Sequence, residues 1–144
     1  MKSERTSASS AKATAPIPPA PGFDDAWFWG GARQHRLLIR ICGRCGRQQH
    51  PPTPLCPACG SADWTTKEAS GTGTVYSWIL SHHPTAPDAA PRIVAIIELQ
   101  EGVRLVSNLC DVDPGDVAND MPVEVVFEEF QDGLVLPQFR PVTS

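Results

Sequence analysis

Residues 42–60 read CGRCGRQQHPPTPLCPACG. Two Cys-x-x-Cys pairs, Cys42 with Cys45 and Cys56 with Cys59, are separated by ten residues, and each pair is followed by a glycine. Two intervening residues let both sulfurs of a pair reach one ion, and four thiolates complete the closed tetrahedral shell of structural Zn²⁺. Gly46 and Gly60 supply the positive-φ freedom that a tight turn around a ligated sulfur needs. The array predicts a zinc ribbon over residues 37–67. Two disulfides, a redox-active Cys-x-x-Cys and an iron site of the same geometry are the alternatives for these ligand types. A closed shell leaves no open position for substrate, so the metal is expected to be structural and not catalytic. Cys110 stands outside the array and reads as a small buried apolar residue.

Downstream of the array the pattern is strand after strand. Residues 73–81 (GTVYSWILS), 93–99 (IVAIIEL), 103–109 (VRLVSNL), 123–130 (VEVVFEEF) and 134–140 (LVLPQFR) are rich in β-branched and aromatic residues and are separated by turn residues. Between the third and fourth, Asp113-Pro114-Gly115-Asp116 predicts one helical turn, with Asp113 as N-cap and Pro114 at the first helical position. Five strands with a helical element between the third and fourth is the chain order of an OB-fold, a small Greek-key barrel, over residues 68–144. A five-stranded sandwich has the same pattern. Gly71-Thr72-Gly73 reads as a bend or bulge at the first strand's start.

Upstream, residues 23–36 read as a short helix with Asp24 and Asp25 at its N-terminal end, weakened by Gly30 and Gly31. Trp27, Phe28 and Trp29 are adjacent, and neighbours on a helix are about 100° apart, so they face more than one surface. Either two parts of this chain sandwich the helix, or it packs on another subunit. Residues 1–22 hold 15 Ser, Thr, Ala or Pro and, past Met1, a single large aliphatic, Ile17; they read as a flexible tail, stiffer where it is rich in proline.

The net charge of -4 hides a segregation. Residues 33–67 carry six basic groups against Asp63 alone, and residues 68–144 carry three basic against twelve acidic. A zinc ribbon beside an OB barrel suggests nucleic-acid binding, but backbone phosphates need positive charge where the strand lies. A barrel at -9 argues against that reading. The 144 residues are too few for most enzymes with separate cofactor and substrate domains. No stretch approaches the ~18 apolar residues of a membrane span, and residues 1–22 lack a signal peptide's apolar core, so a soluble, cytoplasmic protein is expected. No nucleophile elbow, phosphate loop or dinucleotide fingerprint is present. His82 and His83 lie in a proline-rich loop that runs to Arg92; such a pair suits acid-base chemistry or phosphate, or is a plain surface pair. Glu128 and Glu129 point to opposite faces if they lie on a strand.

The ordered set Phe28-Trp29 to Leu37-Leu38, Cys42-Gly43-Arg44-Cys45-Gly46, His50-Pro51-Pro52, Cys56-Pro57-Ala58-Cys59-Gly60, Gly71 to Ser77, Asp113-Pro114, Met121 to Val125 and Leu136 to Pro141 resembles the DUF35 family, a rubredoxin-like zinc ribbon followed by an acyl-CoA-associated OB-fold. The resemblance covers residues 24–142. It departs at Asn119-Asp120, where a glycine turn is expected, and says nothing of the tail. It implies an accessory subunit without catalytic residues of its own. The implied partner is a thiolase-like subunit that makes or breaks carbon-carbon bonds in acyl-CoA substrates, such as a steroid side-chain aldolase. Two copies of this chain would flank a partner dimer, and the barrel would help shape the acyl-CoA channel. On that reading His82, His83, Arg92 and Arg104 are candidates for the CoA or partner surface, because adenosine phosphates need Arg or His donors. Trp27, Phe28 and Trp29 are candidates for the partner surface.

Overall fold

The helix predicted over residues 23–36 is shorter in the computed structural model, which describes residues 16–20, 22 and 24–143: α1 spans Ala26–Arg33. Most of the tail expected over residues 1–22 lies outside the described residues. The helix stops in a Schellman arrangement, with the His35 amide on Ala32 O and the Arg36 amide on Gly31 O, both at 2.9 Å. His35, at φ 59, takes the left-handed position that glycine usually holds. Its ring stacks 5.1 Å from that of Phe127, and its Nε2 lies 2.9 Å from Glu129 Oε2. Asp25 caps no helical amide with its side chain; its Oδ1 accepts instead from the Gly22 amide at 2.7 Å. Gly31 is a packing requirement and no weak point, since a Cβ there would sit 2.8 Å from Leu38 Cγ.

The ribbon carries three short strands that the sequence pattern did not mark: β1 (Leu38–Cys42), β2 (Gln48–Gln49) and β3 (Trp64–Glu68). They form an antiparallel sheet in the order β2-β1-β3, with Cys42 opposite Trp64 and Leu38 opposite Glu68. β2 is two residues long and β3 (WTTKE) is mostly exposed, so neither leaves an alternating apolar trace.

The five expected strands are all present, as β4 (Thr72–Ser81), β5 (Arg92–Leu99), β6 (Arg104–Leu109), β7 (Pro122–Glu129) and β8 (Val135–Pro141). They close a barrel in the order β4-β5-β6-β8-β7, with Thr72 to Thr74 returning to pair with β7. A 3-10 turn at Pro114–Asp116 lies between β6 and β7, which completes the OB chain order. The architecture is mainly β: one short helix, a four-cysteine ribbon and a closed five-stranded barrel. Asp113 makes no side-chain cap on the turn, so only the proline signal there was used. Gly71 makes the expected bend at the strand's start, with φ 87, and a separate bulge falls between Val75 and Ser77. Asp120, before Met121, holds φ 68, so the turn keeps the geometry a glycine would relax.

Val75, Ile97, Val123 and Phe139 are fully buried at the centre of the barrel. Leu37 and Ile39 from the ribbon belong to the same apolar cluster, and Phe28 of α1 packs against it. Ribbon and barrel therefore share one core. Among the described residues no helix is long and apolar enough to cross a membrane.

Candidate metal centre and outer barrel face

Each Cys-x-x-Cys pair is a tight turn at the end of a ribbon strand or loop. The Gly46 amide bonds Cys42 O at 2.9 Å and the Gly60 amide bonds Cys56 O at 2.8 Å. These turns force φ of 80 at Gly46 and 77 at Gly60, so the two glycines do what their position in the array predicts. The amides of Cys45 and Arg44 point at Cys42 Sγ, each at 3.4 Å, and lower that thiol to about 6. Amides aimed at sulfur stabilise the thiolate, the form that ligates metal.

Cys42 Sγ lies 3.6 Å from Cys59 Sγ, and Cys45 Sγ lies 3.6 Å from Cys56 Sγ. All four sulfurs fall within 4.8 Å of one another. A disulfide needs sulfurs about 2.05 Å apart, whereas a tetrahedron with ~2.3 Å metal-sulfur bonds has edges of about 3.8 Å. The donor set therefore fits one tetrahedral metal ion, and the four cysteines are positioned to bind it, consistent with structural zinc. Cys42 and Cys56 are buried, while Cys45 is exposed on the knuckle surface.

Around the centre, Arg40 lies between two indoles, its guanidinium carbon 5.5 Å from the Trp27 ring and 5.2 Å from the Trp64 ring. This stack ties α1 to the ribbon through Trp27. Phe28 lies 5.9 Å from the His50 ring, and burial pushes His50 below the ordinary imidazole value. Trp29 turns the other way, to Leu134 and Val135 of the barrel. The three aromatics thus spread over the ribbon, the core and the barrel, as their 100° spacing requires.

Of the four candidate ligand side chains, three come together and one does not. His82, His83 and Arg92 line a cavity of about 180 Å³ at the end of the β4–β5 connection. Within it His83 Nδ1 accepts the Thr85 amide at 3.2 Å. Arg104 pairs across the ladder with Glu98, six residues along β5 from Arg92, which is about 20 Å at strand rise. There its guanidinium stacks 3.8 Å over the Tyr76 ring and lies 4.0 Å from Glu98 Oε1. Glu129 reaches His35, whereas Glu128 lines a different cavity beside Phe130, so the two do fall on opposite faces. Cys110 is half-buried and donates to Phe139 O at 3.4 Å. Burial, then the charges of Asp111 and Glu128, push its thiol up to about 11.

The outer face of β4, β5 and β6 was not singled out from the sequence. Ile79 (63% exposed) pairs with Val94, and Val106 (66% exposed) pairs with Ile96, so apolar side chains run across three strands on the outside of the barrel. Tyr76 and Arg104 border them. The available signal was the unbroken run IVAII at residues 93–97, because a strand apolar on both sides of its pleat is covered on both faces.

A closed five-stranded barrel fused to a four-thiol ribbon defines a zinc-ribbon/OB-fold protein. Within that class, residues 29–65 match the family described as "ChsH2, rubredoxin-like zinc ribbon domain", and residues 66–128 match "ChsH2, C-terminal OB-fold domain". The chain belongs to the DUF35 family: it is 34% identical over 125 residues to a DUF35 domain-containing scaffold protein of Pyrococcus furiosus, covering 80% of this chain and 90% of that one. It is 48% identical over 124 residues to the probable enoyl-CoA hydratase alpha subunit of Thermomonospora curvata, covering 85% of this chain and 39% of that protein. It is also 36% identical over 115 residues to the 3-oxo-4,17-pregnadiene-20-carboxyl-CoA hydratase alpha subunit of Mycobacterium tuberculosis, covering 79% and 37%. The chain thus spans under two fifths of the length of those two relatives. Among solved structures, a chain of an Ltp2-ChsH2(DUF35) aldolase is 47% identical and superposes with a TM-score of 0.81, over 87% of this chain and 99% of that one.

Proposed function

We propose that this chain is a non-catalytic accessory subunit of a thiolase-like enzyme that cleaves carbon-carbon bonds in acyl-CoA substrates, with a retro-aldol lyase of steroid side-chain degradation as the specific case. The observation that carries the reading is the likeness to a chain of the Ltp2-ChsH2(DUF35) aldolase along nearly its whole length. The pregnadiene-carboxyl-CoA relative supports the steroid substrate class.

The division of labour follows from the chemistry of each part. Four thiolates that close a tetrahedron leave no position for substrate, so zinc, held by Cys42, Cys45, Cys56 and Cys59, would supply folding free energy alone. The thiolase-like subunit would supply the acid-base groups that break the bond. The apolar outer face at Ile79, Val94, Ile96 and Val106 is the surface we assign to that partner; it is apolar, on regular strands, and bordered by the stacked Arg104. His82 and His83, on the loop beyond β4, and Arg92, at the start of β5, offer the donors that a CoA phosphate needs, so the acyl-CoA would lie at the subunit interface near that loop. Two copies would flank a partner dimer, in the cytoplasm where the CoA-ester pool is, without nucleic acid or membrane.

The test is co-expression with the thiolase-like subunit. The reading requires a two-plus-two complex by light scattering and retro-aldol turnover that is lost when this chain is omitted. A partner that is fully active alone would overturn it. Within the complex, acyl-CoA affinity unchanged by Arg92→Ala would remove the loop from the CoA site.

A further inference from the structure

Residues 16–20 read PIPPA, and the described segment lies along the barrel. Pro16 and Pro19 are half-buried, while Ile17, Pro18 and Ala20 are exposed. Residues three apart share one face of a polyproline helix, which repeats every three residues and rises 3.1 Å per residue. The burial pattern therefore matches one edge of such a helix set down on a surface, with its contact points about 9 Å apart.

Both contact points lie over hollows that mix apolar walls with a few polar side chains. Pro16 sits at a cavity of about 380 Å³ whose walls include Phe130, Leu136 and Pro91, with Arg92, Asn108, Glu128 and Gln138 as its polar side chains. Pro18 and Pro19 line a second hollow, of about 150 Å³, with Trp29, Leu134, Val135 and Arg33. Leu136 lines the first and Leu134 and Val135 line the second, so consecutive residues of β8 and the turn before it run beneath the segment. Proline offers no N–H, so such a segment presents ring faces and bare carbonyls. Aromatic rings and amide or guanidinium donors are what a proline-binding groove provides, and Phe130, Trp29, Gln138, Asn108 and Arg33 are those groups. Ile17 is 91% exposed between the contact points, which is the wrong arrangement for hydrophobic collapse and the right one for a register set by the prolines.

We propose that the strip from Trp29 through Leu134 to Phe130 is a proline-binding groove, and that its occupant is the chain's own residues 16–19, which strap α1 to the outside of β8. The proposal is independent of the accessory-subunit reading. It places Pro16 at the Phe130 end of the barrel and not at the ribbon.

The test uses the full chain labelled with 5-fluorotryptophan, with the Trp29 resonance assigned through Trp29→Phe. In the double variant Pro16→Asp/Pro19→Asp the Trp29 resonance is expected to shift and the backbone amides of 134–136 to exchange faster, while Ile17→Asp leaves both as in the parent. The resonances of Trp64 in the ribbon and Trp78 in the barrel report that both parts remain folded. Deletion of residues 1–20 is expected to reproduce the double variant's Trp29 position, since it removes the strap without placing a carboxylate in the groove. A Trp29 resonance that ignores both the double variant and the deletion overturns the proposal, as does Ile17→Asp moving it equally.

Discussion

Arg104 sets its guanidinium carbon 3.8 Å from the centre of the Tyr76 ring, on the outside of the barrel and across the ladder from Glu98. A cation over a ring at an exposed site is worth about 0.5–1 kcal/mol. Arg104→Ala is expected to cost no more than that in urea denaturation. Val106, beside it and outward-facing, can become Asp at a cost of about 1 kcal/mol in strand preference, because no buried group is disturbed. The same Val106→Asp change is expected to abolish assembly with the thiolase-like subunit. Unaltered assembly by size-exclusion chromatography would show that this face is not the partner surface.

Metal removal should reach beyond the ribbon. Zinc-finger peptides draw about 10–16 kcal/mol of apparent folding free energy from their ion, and Leu37 and Ile39 carry the ribbon into the barrel's core. Strong chelation, or Cys42→Ser, is expected to unfold the ribbon, lower the barrel's melting temperature and weaken assembly. Elemental analysis should find one zinc per chain; an apo protein with an unchanged melting curve would contradict the shared core.

Ile39 gives a metal-independent check on that coupling. It is 1% exposed and lies in the cluster with Val75 and Phe139. Ile39→Ala should cost about 2–5 kcal/mol through lost burial and a residual cavity. Fluorescence of Trp64 in the ribbon and of Trp78 in the barrel should then report a single transition at a lower midpoint. Two separated transitions would mean that the parts fold independently.

The stability of the fold should fall in mild acid. Burial lowers the His50 value below that of the unfolded chain, about 6.5, so the native state favours the neutral ring. The unfolded chain then binds the extra proton, and stability present above about 6.5 declines as pH drops toward the lowered native value. Protonation of the cysteine ligands acts in the same direction through metal release. His50→Gln should flatten the part of the slope just below pH 6.5; an identical slope would assign the whole effect to the metal centre.

Single-stranded DNA should not bind measurably. Non-specific binders reach about 10⁻⁴–10⁻⁶ M at physiological salt by releasing counterions to Lys and Arg, and residues 68–144 carry only Arg92, Arg104 and Arg140. Arg104 is stacked on Tyr76, and Arg140 Nε lies 3.0 Å from Glu124 Oε2. Salt-dependent anisotropy changes with a labelled oligonucleotide would revive the nucleic-acid reading.

What the amino-acid order determined by itself is local. A Cys-x-x-Cys-Gly turn has its sulfurs and its positive φ within five residues, and a strand of period two shows its pleat within eight. The four ligands, the five barrel strands and the Pro114 turn were therefore legible from residues close together in the chain. What needed the tertiary structure depends on partners far away. The helix stops at His35 without a glycine because Phe127 and Glu129, more than ninety residues on, hold the ring there. The two-residue β2 exists because β1 pairs with it, and β3, although Trp64, Thr65 and Thr66 favour extension, is too exposed to show an apolar alternation. Arg92 and Arg104 look alike in sequence, yet the ladder sets them at opposite ends of β5, one beside the histidines and the other on Tyr76. Leu37 and Ile39 could have closed a ribbon of their own, and only packing shows that they complete the barrel's core. Short-range geometry is written residue by residue, whereas the choice of neighbour across a barrel is made by register and burial over the whole chain.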